Sequence, residues 1–461
     1  MEPWCPSEIE RAMERPMPKP LPFLCASALA LSLTACAGTI NNSTTDTASN
    51  VTFTFTDSGV TAAGETDTCY EIDGTALTIM SSGTYTVSGS CADGSIKVKK
   101  STTGVTLVLD GLTLTSENTA AITCGKSSEV TILVSNGTEN SLSDTEQNND
   151  DNYPENENAE NAVIKCEDGS LVTLCGDGEL TITANGKNGI KSGATTDEDG
   201  EASLTIRDLT LNIDAPVNDA INAEQLLNVE SGTLTIDAYS SAGDGFDSNG
   251  DLTITGDTVI VWTANTADNE PPDADGTITV SGGTVLAASG SSGMGMNLEA
   301  AQPCVIYGST GFGGMPGSTQ SSLIAADADF TIEDADGNAV YSGTARCGAN
   351  FILFSSADVV ADSAYTLKAG NSSTEGTAQS GTVSTGMGMG GGFPGGGQKP
   401  DGEPPESFDG QMPNGEKSEL PDGEVPEMPS GERPTPPSGQ GSPADGNAPA
   451  GDSTSDTTPT A

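Results

Sequence analysis

The sequence predicts an all-β protein: a right-handed parallel β-helix, or solenoid, with a C-terminal antiparallel β cap and a disordered tail. Three observations carry this expectation. Apolar triplets recur at a fixed interval in two separate series. A third series repeats a five-residue pattern in step with them. No stretch shows the spacing of a long amphipathic helix.

The first series is Leu227-Asn228-Val229, Leu252-Thr253-Ile254 and Ile278-Thr279-Val280, whose starts lie 25 and then 26 residues apart. The second is Leu234-Thr235-Ile236, Val259-Ile260-Val261 and Val285-Leu286-Ala287, again at 25 and 26. Two strand series that keep step indicate stacked coils rather than hairpins. The third runs Ala120 to Cys124, Ala162 to Cys166, Asn188 to Ser192, Asp219 to Ala223 and Asp244 to Ser248. Its third position is Ile or Phe and its fifth is small, the pattern of two inward positions on a strand that stacks coil on coil. Three short strands per coil match a parallel β-helix. The acidic stretches 143–159 and 194–201 are expected to be exposed loops that absorb irregular spacing.

This organisation divides the chain. Arg15 and Lys19 precede the apolar run Leu21 to Leu33, which is too short to span a bilayer and reads as a signal peptide over residues 1–35. Its ending, Leu33-Thr34-Ala35-Cys36, resembles a bacterial lipobox, which makes Cys36 the expected lipidation site and the membrane anchor. Translation starting at Met13 or Met17 would give the signal a better N-terminal region. Residues 36–50 read as a linker, 51–299 as the β-helix and 300–385 as the cap. The Gly/Pro-rich acidic residues 386–461 read as a disordered tail. The expected location is the cell surface. Seven cysteines follow Cys36, an odd number, and spacing does not give their pairing.

Charge excludes several function classes. The net charge is -50 and there is no histidine. Nucleic acid needs a basic footprint, so it is not an expected partner. Imidazole-ligated zinc and imidazole acid–base catalysis are excluded outright. Carboxylate chemistry remains. Positions one and four of the third series bring Asp219, Asn222, Asp244 and Asp247 onto one edge of successive coils about 4.8 Å apart. Asn249 and Asp251 extend the group, and Asp273 and Asp275 belong to the next coil. Stacked like charges repel unless neutralised, and Ca2+ takes about six to eight such oxygens. These eight residues are therefore the expected calcium ligands, although Asp, Asn and Gly also make turns in any β-solenoid. Lys165 and Lys191 stack in position four of earlier coils, where they either pair with sugar carboxylates or balance neighbouring acids. Trp262 is the main candidate aromatic platform for a sugar, with Tyr239 and Tyr307, against ordinary packing roles. Cys124 and Cys166 share position five, as a bridge or as a stack of buried thiols.

The repeated units, above all Asn188-Gly189-Ile190-Lys191-Ser192 and Asp244-Gly245-Phe246-Asp247-Ser248-Asn249-Gly250-Asp251, resemble the bacterial carbohydrate-binding domain-containing β-helix family. The resemblance covers roughly residues 51–385. It implies a fold akin to polysaccharide lyases, bound calcium, and affinity for polygalacturonate and cellulose. Ala120 and Ala162 depart from the acidic or amide residue at their position. Three readings follow. The first is a non-catalytic surface module in which calcium bridges protein and uronate carboxylates. The second is a pectate-type lyase using calcium-assisted β-elimination, with Lys165, Lys191 or Arg207 as base. The third is a structural adhesin that calcium merely stiffens.

Overall fold

The computed structural model describes residues 49–64, 68–194, 204–239, 243–264, 269–290, 296–308 and 322–385. The expected signal peptide, Cys36, the linker up to residue 48, the tail from 386 and most of the 194–201 loop lie outside the described residues. The described chain is all-β and built on long parallel sheets. Among the described residues no helix is long and apolar enough to cross a membrane.

The coils have three faces. Face one holds Glu129–Val134, Leu171–Gly176, Leu204–Arg207, Leu227–Val229, Leu252–Ile254 and Ile278–Val280. Face two holds Glu139–Asp144, Glu179–Thr183, Thr210–Asp214, Thr233–Ala238, Thr258–Thr263 and Thr284–Ser289. Both belong to one 19-stranded sheet, whereas face three is a sheet of nine strands. The triplets align as the sequence periodicity requires: Leu227 pairs with Leu252, which pairs with Ile278, and Leu234 pairs with Val259, which pairs with Val285.

Face three carries the strands Ala76–Ile79, Ser95–Val98, Ile122–Cys124, Ala162–Cys166, Asn188–Ser192, Ile221–Ala223, Phe246–Ser248 and Pro272–Ala274, all parallel. Its inward column reads Leu77, Ile96, Ile122, Ile164, Ile190, Ile221 and Phe246, each essentially inaccessible. Burying such a side chain contributes about 1.5–3 kcal/mol, so the column alone fixes the register. The neighbouring inward column, Val98, Cys124, Cys166, Ser192, Ala223, Ser248 and Ala274, stays small because the chain bends there into face one. Cys124 and Cys166 are unbridged, as are the other five described cysteines. A hydrogen bond with Cys166, and then burial, pushes the Cys124 thiol up. Between faces one and two the chain turns tightly. At Gly176 (φ +129°) a Cβ would run into the Val134 backbone of the coil below.

The acidic loop after Asp144 is exposed over most of residues 150–158, as the sequence suggests, but it is anchored by buried polar side chains at its start. Asp144, Asn148 and Asn149 are buried. Asn148 Nδ2 donates to Asp144 Oδ2 (2.9 Å) and to the Ala162 carbonyl (2.9 Å), while its Oδ1 accepts from the amides of Glu160 and Asn161. Asn149 Nδ2 donates to the Gly186 carbonyl at 2.8 Å. These amides do for the loop backbone what a strand ladder does elsewhere, so the segment lies down on the coils.

Strand Met296–Gly308 begins parallel to Ile278–Val280 and continues antiparallel to Phe351–Ser355 and Gln379–Thr385. Phe351–Ser355 also pairs antiparallel with Thr284–Ser289, the last strand of face two. Asp329–Glu333, Ala339–Thr344, Ala364–Ala369 and Ser372–Thr377 form a separate four-stranded antiparallel sheet.

Candidate functional site

The outward column of face three is one continuous ladder. Strand pairing places Thr78, Lys97, Thr123, Lys165, Lys191, Asn222, Asp247 and Asp273 in register on successive strands. The pitch is one strand spacing, about 4.8 Å. The inward neighbours scarcely change along this stack, but the outward residue passes from lysine through asparagine to aspartate. The two groups that the sequence offers separately, the lysines and the acids, thus meet at Lys191 and Asn222.

Asp219 and Asp244 sit at the corner where the chain enters face three. Each uses one carboxylate oxygen to hold the next coil: Asp219 Oδ1 accepts from the Asp244 amide (3.1 Å), and Asp244 Oδ1 accepts from the Glu270 amide (2.6 Å). Asp219 Oδ2 accepts from Asn218 Nδ2 and Asn222 Nδ2, both at 3.1 Å. Asn222 Nδ2 also donates to Asp247 Oδ2 at 2.5 Å. A single amide therefore stands between two carboxylates of adjacent coils.

Burial is the main cause of the cluster's electrostatics. It raises Asp219 to about 6, with the Asp247 charge adding and the Asp244 amide, Asn222 and Lys191 opposing. It raises Asp244 to about 8, with Asp219, Asp273 and Glu270 adding. Asp247 and Asp273 are raised by the same cause, Asp247 being relieved by Asn222 and Asp273 raised further by Asp247. On the basic side, burial and then the Lys191 charge lower Lys165, and Glu160 opposes them. Lys191 lies 4.0 Å from Glu224, and Lys97 lies 3.7 Å from Glu167.

Other residues expected at the site are placed differently. Asn249, Asp251 and Asp275 lie beyond the C-terminal ends of the face-three strands, in the turns to face one. Asn249 donates to Glu224 (2.8 Å), Asp251 Oδ1 accepts from the Thr277 amide (2.7 Å), and the Asp275 amide donates to the Ser248 carbonyl. Trp262 is 2% exposed and packs edge-on to Phe330, its ring centroid 6.0 Å away. Its face is covered by the C-terminal segment, so a sugar cannot stack on it. Tyr307 is buried too, whereas Tyr239 is exposed. Arg207 belongs to face one and pairs with Glu230 at 3.6 Å, away from the ladder. Glu270 occupies the corner position of Asp219 and Asp244 one coil on; prolines in Glu270-Pro271-Pro272-Asp273 hide its equivalence to Asp244-Gly245-Phe246-Asp247.

The donor set is oxygen only, which suits a hard cation. Among the described residues no three acidic or thiol side chains converge closely enough to hold a metal. The Asn222 amide nitrogen faces the Asp219 and Asp247 carboxylates. The two ends of an amide exchange by half a turn, and that turn would offer Oδ1 to the same space.

A protein-family model described as carbohydrate-binding domain-containing protein matches residues 73–388. The chain belongs to that family. A curated relative of the same description, from Acetivibrio thermocellus, is 38% identical over 114 residues, 23% of this chain and 37% of the relative. The match thus spans little more than a third of that relative's length. A solved structure described as the polysaccharide lyase-like protein from C. thermocellum, a gadolinium derivative, is 23% identical with a TM-score of 0.35, covering 52% of this chain and 92% of that one.

Proposed function

We propose that the face-three ladder binds acidic cell-wall polysaccharide, polygalacturonate being the reference polymer, with calcium between protein and uronate carboxylates and no bond cleavage. The observation that carries this reading is the polarised column itself. Lys165 and Lys191 present cations at the spacing of successive coils, and Asn222, Asp247 and Asp273 continue the same line with oxygens. Membership of a carbohydrate-binding family gives the ligand class. The acidic half explains why a cation is needed: carboxyl groups held up by burial and by one another either stay protonated or take a counter-ion. In this reading Asp219, Asn222, Asp244, Asp247 and Asp273 hold the ion, and Asn249, Asp251 and Asp275 shape the adjoining turns. Bound calcium supplies a bridge that lets so acidic a protein approach an acidic polymer. The lysines then orient the chain by pairing with further uronates.

The reading extends to location and architecture. It takes the protein as exported and held at the cell surface by a lipid on Cys36. It takes the coils as right-handed, the hand adopted by nearly all parallel strand crossovers, and the C-terminal antiparallel strands as a cap over the last coil.

Binding to polygalacturonate with and without calcium tests it. Affinity should disappear in excess chelator and return with calcium, and Asp247→Asn should weaken it. Undiminished binding in chelator would overturn the proposal.

A further inference from the structure

Five Asn-Gly pairs occur in the sequence, and four of them, beginning at Asn136, Asn185, Asn188 and Asn249, lie among the described residues. Asparagine before glycine is prone to lose its side-chain amide without an enzyme, because the glycine main-chain nitrogen can reach the asparagine Cγ unhindered. The reaction asks three things of a fold. The glycine N–H must not be held by an acceptor, the asparagine side chain must be able to turn, and a five-membered ring must have room.

Three of the pairs border strands of face three and fail on every count. The Gly186 N–H donates to Asp144 Oδ1 and Asn185 Nδ2 to the Asp144 carbonyl, both at 2.9 Å. The Gly189 N–H donates to the Asp219 carbonyl at 3.1 Å, and Asn188 Nδ2 to the Asn161 carbonyl at 3.0 Å. The Gly250 N–H donates to Ser248 Oγ at 3.3 Å, and Asn249 Nδ2 to Glu224 at 2.8 Å. Space is closed as well. A Cβ on Gly186, Gly189 or Gly250 would lie 2.7, 2.5 or 2.8 Å from the main chain of Asn148, Ala220 or Gln225.

The fourth pair differs in each respect. Ser135-Asn136-Gly137-Thr138 is the turn between Glu129–Val134 on face one and Glu139–Asp144 on face two. Its closing bonds involve only the outer residues: the Thr138 amide donates to the Ser135 carbonyl at 3.2 Å, and Thr138 Oγ1 donates to the same oxygen at 2.8 Å. Gly137 has a φ of +72° and Asn136 a negative φ, the pattern of a type II turn. Both central residues are exposed. Among the described residues neither the Gly137 N–H nor the Asn136 side chain has a hydrogen-bond partner. Nothing lies within 4 Å of where a Gly137 Cβ would be.

We infer that Asn136 is a site of spontaneous deamidation, left reactive by the fold while the other three described pairs are protected. Base takes the proton from the Gly137 nitrogen, which bonds to Asn136 Cγ. The Cγ–Nδ2 bond breaks, and the side-chain nitrogen takes up a proton and departs as ammonia. Water then opens the cyclic imide at either carbonyl, leaving an aspartyl or an isoaspartyl link. Both products add a negative charge, and the isoaspartyl link adds a methylene to the main chain inside the turn. That change is passed to Asn140, whose Nδ2 donates to Thr138 Oγ1 at 3.0 Å and whose Oδ1 accepts from the amides of Gly111 and Leu112 in the neighbouring coil. Deamidation thus loosens the junction of faces one and two and leaves the face-three ladder alone.

Incubation of the full chain in mildly alkaline buffer, followed by proteolysis and mass spectrometry, tests this. Peptides holding Asn136 should exchange amide for hydroxyl at least about tenfold faster than those holding Asn185, Asn188 or Asn249, a factor of the size one intact hydrogen bond can impose. In urea the four should convert at comparable rates. Asn414, in the fifth pair, is read from its own peptide. Protein aged until Asn136 has reacted should melt at a lower temperature than fresh protein, and equally aged Asn136→Gln, whose ring closure is less favourable, should not. The inference is overturned if Asn136 reacts no faster than the other three in the folded protein. A lead of the same size in urea would overturn it too, because local sequence and not the fold would then set the order. An equal fall in melting temperature in aged Asn136→Gln would refute the loosening of the junction. Polygalacturonate plays no part in these readouts, so the face-three proposal stands or falls separately.

Discussion

The early and late coils of face three share a backbone and an inward column, yet their outward residues have opposite charge. Ile164 and Ile190 pack beneath Lys165 and Lys191 as Ile221 and Phe246 pack beneath Asn222 and Asp247. Strand pairing holds both halves equally and does not depend on what points outward. Stability is therefore written on one side of each strand, and the proposed recognition lies on the other. An electrostatic cost falls on the acidic half, where several carboxyls are desolvated together.

The strongest way to break this comparison is to change one strand on each side. Ile190→Ala should lower unfolding free energy by about 2–5 kcal/mol, because it leaves a cavity between coils. Lys191→Ala, the next residue, should stay within about 0.5 kcal/mol. Urea denaturation measures both, and equal losses would refute the division.

The second test concerns pH. Asp219 and Asp244 have folded values raised above those of the unfolded chain. The folded state therefore holds more protons, and its stability is greatest below the unfolded carboxylate range. As pH rises through about 6 and then about 8, that contribution is lost. In chelator, unfolding free energy should fall with pH over this window, by on the order of 1.4 kcal/mol per pH unit for each titrating group. Asp244→Asn should flatten the upper part of the slope and Lys191→Ala should not. A chelated protein whose stability is level from pH 4.5 to 8 would contradict the electrostatics of the late coils.

Calcium sharpens the contrast. It should raise the melting temperature more at pH 8 than at pH 5, and Asp247→Asn should weaken the calcium dependence about tenfold, as expected on losing one charged ligand worth about 1.4 kcal/mol. A smaller effect belongs to the basic half. Lys191→Ala should reduce polygalacturonate affinity several-fold at low salt and much less near 1 M, where charges are screened beyond about 3 Å. The smallest is Lys126→Ala. Lys126 meets Asp168 at 3.9 Å with both side chains exposed, and its removal should alter neither melting nor binding.

The repeat was legible because inward residues alternate at a 25- to 26-residue interval over consecutive coils. The acidic group was legible in part: Asp219, Asn222, Asp244, Asp247 and Asp273 lie together, whereas Asn249, Asp251 and Asp275 lead into the turns. That Lys191 and Asn222 are neighbours in one column also follows from aligning the third series, once the two chemistries are read as one line. Other features depend on distant partners. Trp262 is covered by Phe330, which belongs to the separate antiparallel sheet, and no local pattern announces that. Asn148 and Asn149 read as solvated turn residues until the carbonyls of Ala162 and Gly186 are seen to need donors.

In-register stacking has a consequence for how such a protein can change. A 25-residue unit such as the one from Leu227 to Leu252 begins and ends at equivalent points of the coil. Tandem duplication of that unit would lengthen every column by a single rung without disturbing the rungs on either side. The length of each outward-facing column could thus grow or shrink by whole turns, through simple copying errors, while the shape of each turn stayed fixed.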